Sequence, residues 1–435
     1  PQELMDLISR IEWKKPYPLL RAHFGLSNLN DTIKGVKKLA ETQELDVISI
    51  APDQNTQENY FHPEDQFDEL SGAGGVPLRS KADFEKLHRA RLTGNKPLLR
   101  IYAGTRDFIK LAKLFNKTIQ NAWAAIPLFW FNQMDGRGPL PLKESIKQHL
   151  KAIKWHGDRN IPVEINDPHH WSLRNAPDAI AVADMYLCGI IAKKLNVKYF
   201  IAQYMFNTPS SLSFEMDLAK MLAKNELLQN LTDDSFTIIK QVRTGLSSFP
   251  LDLQRAKGQL AASTLIQLAL KPAIVHVVSF SEADHAALPS DIIESCKIVN
   301  QVINRSYSSN LSFIDEKVIQ RKKELIEQAK WIINLIPKLA KKREEKENPF
   351  INFKVLNRIV KYGIFDAPHL KNNEFGKGEI CTKVIEGGFN SIDKLTGKSI
   401  DEVQRIETII YEDHRLSFLR EKLSKPITSK EVINL

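Results

Sequence analysis

Short β-rich apolar runs alternate with longer segments of helical periodicity through the first two-thirds of the chain. There are eight such runs, and no G-x-G-x-x-G turn follows the first, because residues 24–30 read FGLSNLN. Together these observations predict an α/β fold, a closed (β/α)8 TIM barrel in place of a doubly wound open sheet, followed by an α-rich C-terminal appendage.

The eight predicted strands are 18–24 (PLLRAHF), 45–50 (LDVISI), 97–102 (PLLRIY), 126–131 (IPLFWF), 161–165 (IPVEI), 197–203 (VKYFIAQ), 236–241 (FTIIKQ) and 273–279 (AIVHVVS). Between them, apolar residues recur at spacings of three and four over 31–42, 105–116, 142–155, 176–195, 213–228 and 251–269, which predicts the covering helices. A long, charge-laced helical stretch is expected over 315–347, with mixed Gly, Asn and short apolar runs beyond it. The expected division is a barrel over 1–310 and an extension over 311–435. The longest loops inside the barrel follow the second strand (51–81) and the fourth (132–141), on the face where barrels build their sites.

Composition narrows the classes of function. The 435 residues are 43% hydrophobic and 26% charged, an ordinary globular balance that excludes a disordered or disulfide-scaffold class. No apolar run approaches the ~18 residues of a membrane span, and the charged N-terminal stretch lacks a secretory pattern, so a cytoplasmic setting is expected. Cys188, Cys296 and Cys381 are widely spaced in apolar contexts and read as buried free thiols. The net charge of +9 is not gathered into an arm or stripe, and the densest basic run, 338–346, is interleaved with Glu344 and Glu345 as a solvated helix face, so no nucleic-acid role is expected.

In a barrel, polar residues near the strand ends converge on one mouth. Here they are Arg21 and His23, then Thr56 to Asn59 with Glu58, Arg100 and Tyr102, Asn132 and Asp135, and Asn166, Asp167, His169 and His170. Gln203, Asn207, Arg243, Ser279 and Glu282 complete the set. A buried arginine is costly unless it meets an anion, so Arg21 and Arg100 are candidate carboxylate ligands, the alternative being ion pairs with Glu58 or Asp135. Adjacent His169 and His170 would diverge in an extended chain, and no paired metal-ligand motif supports a metal. No G-x-S-x-G marks a nucleophile, while a two-acid pair among Glu58, Asp135, Asp167 and Glu282 stays open. The residues alone lead to a barrel enzyme acting on a small anionic substrate.

The ordered strand-end motifs resemble one family, the large catalytic subunit of adenosylcobalamin-dependent glutamate mutase (methylaspartate mutase), from about residue 20 to 392. The matching stations are Arg21-Ala22, the T-x-x-N of Thr56 and Asn59, SGAGGV at 71–76, Gly104-Thr105, Phe131-Asn132 and Ile165-Asn166. They continue with Phe249-Pro250, Glu282-Ala283, Pro289, and G-x-x-D-x-P at 363–368 with Asn373 and Gly376. The resemblance implies a radical carbon-skeleton isomerase with adenosylcobalamin held mainly by a separate small subunit carrying D-x-H-x-x-G, a motif this chain lacks. Arg21 matches a family substrate-carboxylate arginine; the candidate substrate-binding or catalytic residues are Arg21, Glu58, Arg100, Tyr102, Asn132, Asp135 and His169, of which Glu58, Asp135 and His169 would be the acid–base groups of a cobalamin-independent enzyme. Phe249, Glu282 and Leu288 match family positions that contact the cofactor, and Ser71 replaces a family Asn near it; His23, Asp366 and Asn373 are the further cofactor-side candidates, and the extension is the expected contact for the small subunit.

The family's second and third substrate arginines align with Gln57 and near Tyr102, and its glutamate with about Ala125. A dicarboxylate would leave one charge unpaired, so the resemblance implies another carboxylic or amino acid in place of glutamate. A homodimer of the large subunit is left open. The competing expectations are a cobalamin-independent barrel lyase or aldolase and a non-catalytic binding subunit.

Overall fold

The computed structural model describes residues 4–307, 309 and 312–423. The end of the predicted extension, 424–435, lies outside the described residues. Eight parallel strands form one sheet: β1 (Leu19–Phe24), β2 (Val47–Ile50), β3 (Leu98–Ile101), β4 (Ala124–Ile126), β5 (Val163–Ile165), β6 (Tyr199–Phe206), β7 (Thr237–Thr244) and β8 (Ile274–His276). β1 pairs with both β2 and β8, and the order runs β3-β2-β1-β8-β7-β6-β5-β4. A parallel bridge between Tyr102 and Ala125 joins the two ends, supported by Ala122 N donating to Leu99 O at 2.9 Å. The sheet is therefore a closed (β/α)8 barrel.

Eight helices follow the strands in turn: α1 (Leu29–Thr42), α2 (Lys81–Ala90), α3 (Phe108–Thr118), α4 (Leu142–Gly157), α5 (Asp178–Lys194), α6 (Phe214–Gln229), α7 (Leu253–Gln267) and α8 (Pro289–Ser306). Alternation along each strand explains why they close. On β1, Leu20, Ala22 and Phe24 join the apolar shell beneath the helices, whereas Leu19, Arg21 and His23 face inward. The burial of apolar faces on both sides of the strands supplies the driving force.

Three predicted elements differ. The fourth strand is Ala124–Ile126, earlier than 126–131, and the residues after it form a buried turn with Phe131 at φ +63°. Phe129 and Trp130 pack there against Trp171, and Phe129 also against Phe365, so the apolar run is explained by contacts with the extension. The helix expected over 315–347 ends sooner, as α9 (Glu316–Leu335); a 3-10 turn, Ile336–Leu339, holds Pro337, which cannot continue the ladder. Glu345 is no solvated-face residue: it is buried against Arg358, at 2.6 Å.

The N-terminal helix, Leu7–Lys14, plugs the base of the barrel. Leu7, Ile8 and Ile11 pack on the inward residues Leu19, Val47, Leu98, Trp123, Ile201, Ile239 and Ile274. Arg10 holds Asp46, and Asp46 in turn accepts Leu20 N. The extension packs α9 on α5 and α6 and adds a small antiparallel sheet, β9 (Thr382–Ile385), β10 (Gly388–Ile392) and β11 (Ser399–Ile400). Asp178 joins the pieces, meeting Lys220, Arg321 and Phe389 N within 3.0 Å. No described helix is long and apolar enough to cross a membrane.

Candidate active site

Above the apolar plug the lumen turns polar. Side-chain contacts gather Arg21, Ser49, Arg100, Glu164, Gln203 and Gln241 into one inward-facing cluster, with His276 opposite Arg21 on β8. Arg100 Nη2 lies 3.1 Å from Glu164 Oε2, and Arg21 Nη1 lies 3.9 Å from the same oxygen. The indole of Trp123 donates to that oxygen at 2.8 Å, and both guanidinium groups stand over its ring, at 5.4 and 5.5 Å. Arg21 further donates to Ser49 Oγ (2.6 Å) and Gln241 Oε1 (2.7 Å).

This layer is sealed: Arg21, Arg100 and Glu164 are almost fully buried. Two cations share one carboxylate, so the layer carries excess positive charge. Burial, then repulsion from Arg100, draws the Arg21 guanidinium down to about 9, while Arg100 and Arg21 hold the Glu164 carboxyl below its ordinary range against the cost of burial. Among the described residues, Nε and Nη1 of Arg100 and both ring nitrogens of His276 have no hydrogen-bond partner.

His23, Tyr102, Arg243 and Glu282 lie one step nearer the mouth and are partly exposed. Tyr102 OH and His23 Nε2 are 3.1 Å apart, and the two rings stack with centroids 5.4 Å apart. His23 meets His276 edge to face at 4.7 Å. Burial first, then the neighbouring arginines, pushes both histidines well below their ordinary pKa, so they stand neutral. Arg243 spends only Nε, on Thr244 O at 3.2 Å. Glu282 accepts Ser279 N through Oε1 at 3.1 Å, and desolvation raises its pKa.

The predicted residues therefore divide. Arg21, His23, Arg100, Tyr102 and Glu282 converge on the lumen. The anion that balances Arg21 and Arg100 is Glu164, neither Glu58 nor Asp135. Glu58 stands on a short helix, Gln54–Asn59, where a loop was expected; it bonds Gln54, and burial raises its pKa. Asn132 and Asp135 are spent on their own loop. Asn132 donates to Phe129 O and Ser145 Oγ, and Asp135 caps the Phe131 and Asn132 amides and pairs with Arg174 at 2.9 Å.

His169 and His170 sit on a helix, Pro168–Leu173, with rings 4.4 Å apart, where divergence in an extended chain was expected. His169 Nδ1 has no partner, and burial keeps both rings neutral. Ser71 is exposed beside Arg79, Phe249 is buried, and Leu288 is exposed at the rim. Asp366 is consumed by the amides of Ala367, Gly378, Glu379 and Ile380. Asn373 ties the extension to the loop after β4 by donating to Met134 O at 2.8 Å. Both of these hold the extension in place.

Behind the mouth lies a buried ionisable network in which Asp167, singled out from the sequence, meets Asp184 and Lys224, which sequence patterns did not reveal. Asp167, whose Oδ1 accepts the Leu128 and Phe129 amides, neighbours Asp184 of α5; burial raises both carboxyls, and the like charge of Asp167 raises Asp184 further. Nearby Lys224 of α6 is fully buried, has no partner at Nζ, and is pushed down to about 7 by desolvation. Glu164 was also missed, although an acid inside a strand carries the same signal that singled out Arg21 and Arg100. The N-terminal plug has no local signature, since its apolar face acquires meaning only against the barrel base.

The fold and site together define a closed (β/α)8 barrel with a cationic, histidine-ringed lumen opening at the C-terminal ends of the strands. The chain matches no family model, and no curated protein matches it.

Proposed function

We propose that this chain is the barrel subunit of an adenosylcobalamin-dependent radical isomerase that rearranges the carbon skeleton of a small carboxylic or amino acid. The supporting observation is the union, in one mouth, of a cationic lumen closed at its base with a rim of exposed apolar residues, Leu246, Leu251 and Leu288. Radical chemistry needs a vessel that excludes water, and the plugged base supplies one. The apolar rim suits a flat, largely apolar roof brought by a second polypeptide.

The residues present fit such a group. No hydrogen bond is made by Glu282 Oε2 among the described residues, which leaves an acceptor for a ribose hydroxyl at the mouth. Leu246, Leu251 and Leu288 would carry the face of the ring system. When bound, the cofactor would supply the radical chemistry of the rearrangement. The chain's own residues orient the acid by charge, hold His23 and His276 neutral so that neither protonates an intermediate, and keep solvent out.

The test uses the full chain, a small D-x-H-x-x-G protein and adenosylcobalamin, with cofactor homolysis followed spectrally against a panel of small acids. Homolysis with one acid supports the reading; silence across the panel overturns it. The Tyr102–His23 hydrogen bond favours a second reading, an acid–base lyase in which this pair moves a proton. It predicts turnover by the chain alone, lost in Tyr102→Phe.

A further inference from the structure

We propose that Arg243 is the substrate-carboxylate anchor and that the site therefore selects acids with a single carboxylate. The inference rests on the acid-binding part of the reading above and deepens it by naming the substrate class. Strand register places Arg243 opposite His276 on β8 and Met205 on β6, one inward step above Gln241. Its terminal nitrogens make no hydrogen bond or ion pair among the described residues, whereas Arg21 and Arg100 are both turned onto Glu164. Of the three lumen arginines it alone is partly exposed. Arg243 thus stands on β7 above the sealed layer, with no acid within ion-pair distance among the described residues.

A planar fork of free N–H donors is the geometry that binds a carboxylate through both oxygens. A second carboxylate finds no exposed fork, because the free Nε and Nη1 of Arg100 are sealed in the buried layer. The deeper pair of guanidinium groups is already occupied by Glu164, which stands inside the protein where a diacid's other end would go. A phosphate is disfavoured for a separate reason. Barrels that bind phosphate use the loops after β7 and β8 with helix amides turned outward. Here Asp252 caps Arg255 N at the start of α7, and Asp291 caps Leu288 N at the start of α8, so a phosphate would meet carboxylates in both places.

Calorimetric titration of the full chain with isobutyrate, L-valine and L-glutamate tests this without cofactor or partner. The expected result is binding of isobutyrate or L-valine, weakened about tenfold or more in Arg243→Gln and partly restored in Arg243→Lys, with L-glutamate no tighter than L-valine. The variants should keep the wild-type melting temperature within a few degrees, because Arg243 anchors nothing but one carbonyl. Equal binding by Arg243→Gln, a clear preference for L-glutamate, or no binding of any probe by the wild-type chain overturns it. Failure of the isomerase reading would appear separately, as an acid that binds through Arg243 but is never turned over with adenosylcobalamin and a cobalamin-binding partner.

Discussion

Arg100 on β3 and Glu164 on β5 meet inside the barrel, 3.1 Å apart, although their strands are not neighbours. The pair crosses the lumen instead of running along a wall, and Arg21 joins it from β1, so three strands are tied through one carboxylate. Removing one partner of a buried pair is far costlier than the pair's net contribution, because the remaining charge is stranded.

Glu164→Ala should therefore destabilise the fold by about 3–5 kcal/mol, and Glu164→Gln by less, since the amide keeps an acceptor for Trp123 and Arg100. Urea titrations measure both. The pH dependence carries a sign. The folded Glu164 carboxyl lies below the unfolded value of 4.5, so its stabilisation is complete above 4.5 and is lost as pH falls through the folded value. Glu164→Gln should lack that acid-side component, and an unchanged acid profile would refute the assignment.

Lys224 makes the opposite case. Its folded pKa, about 7, is below the unfolded 10.5, so between those values the unfolded chain holds a proton that the native chain does not, and stability rises with pH. Below pH 7 the native state bears the whole cost of a buried ammonium among Lys220, Asp217, Asp178 and Asp184. Lys224→Met, similar in length and apolar, should be more stable than wild type by about a few kcal/mol at pH 6, with the gap closing toward pH 10. Chemical denaturation at the two pH values checks the slope.

In the SGAGGV run after β2, Gly75 is required by close approach and Gly74 by its backbone angle. A Cβ on Gly75 would lie 2.1 Å from Ala51 O, the carbonyl that accepts Val76 N at 2.8 Å, and one on Gly25 would meet the same oxygen at 2.2 Å. Gly75→Ala should cost about 3 kcal/mol, because backbone must move to admit the methyl. Gly74→Ser, where the space is open but φ is +76°, should cost about 1 kcal/mol through strain alone. Thermal melts separate the two.

Legibility in the sequence followed how local each signal is. Seven of the eight strands lay within or overlapped the predicted β-rich runs, because burial on both faces writes itself into a short window. The fourth was displaced because Phe129 and Trp130 are apolar for a tertiary reason, contact with Trp171 and, for Phe129, the distant Phe365, which no window contains. In the site, Arg21 and Arg100 stood out as charges inside apolar strands, yet their shared partner emerged only from the register. Asn132, Asp135, Asp366 and Asn373 look chemical in sequence and prove to be loop and extension fasteners, because Asn and Asp serve turns as readily as substrates.

The rim gives the last prediction. Leu251 is 69% exposed beside the mouth, so Leu251→Asp removes little buried area and should leave the chain's melting temperature within about 1 °C of wild type. In the assembled system the same change sets a charge against the surface proposed to carry the roof, where a desolvated, unpaired carboxylate costs several kcal/mol. Affinity for the cobalamin-binding partner, followed by sedimentation or by cofactor-dependent turnover, should fall about a hundredfold, while isobutyrate or L-valine binding at Arg243 by the chain alone is retained. Loss of partner affinity with acid binding intact would place the roof on the rim and the substrate below it. Unchanged partner affinity would remove the rim from the interface.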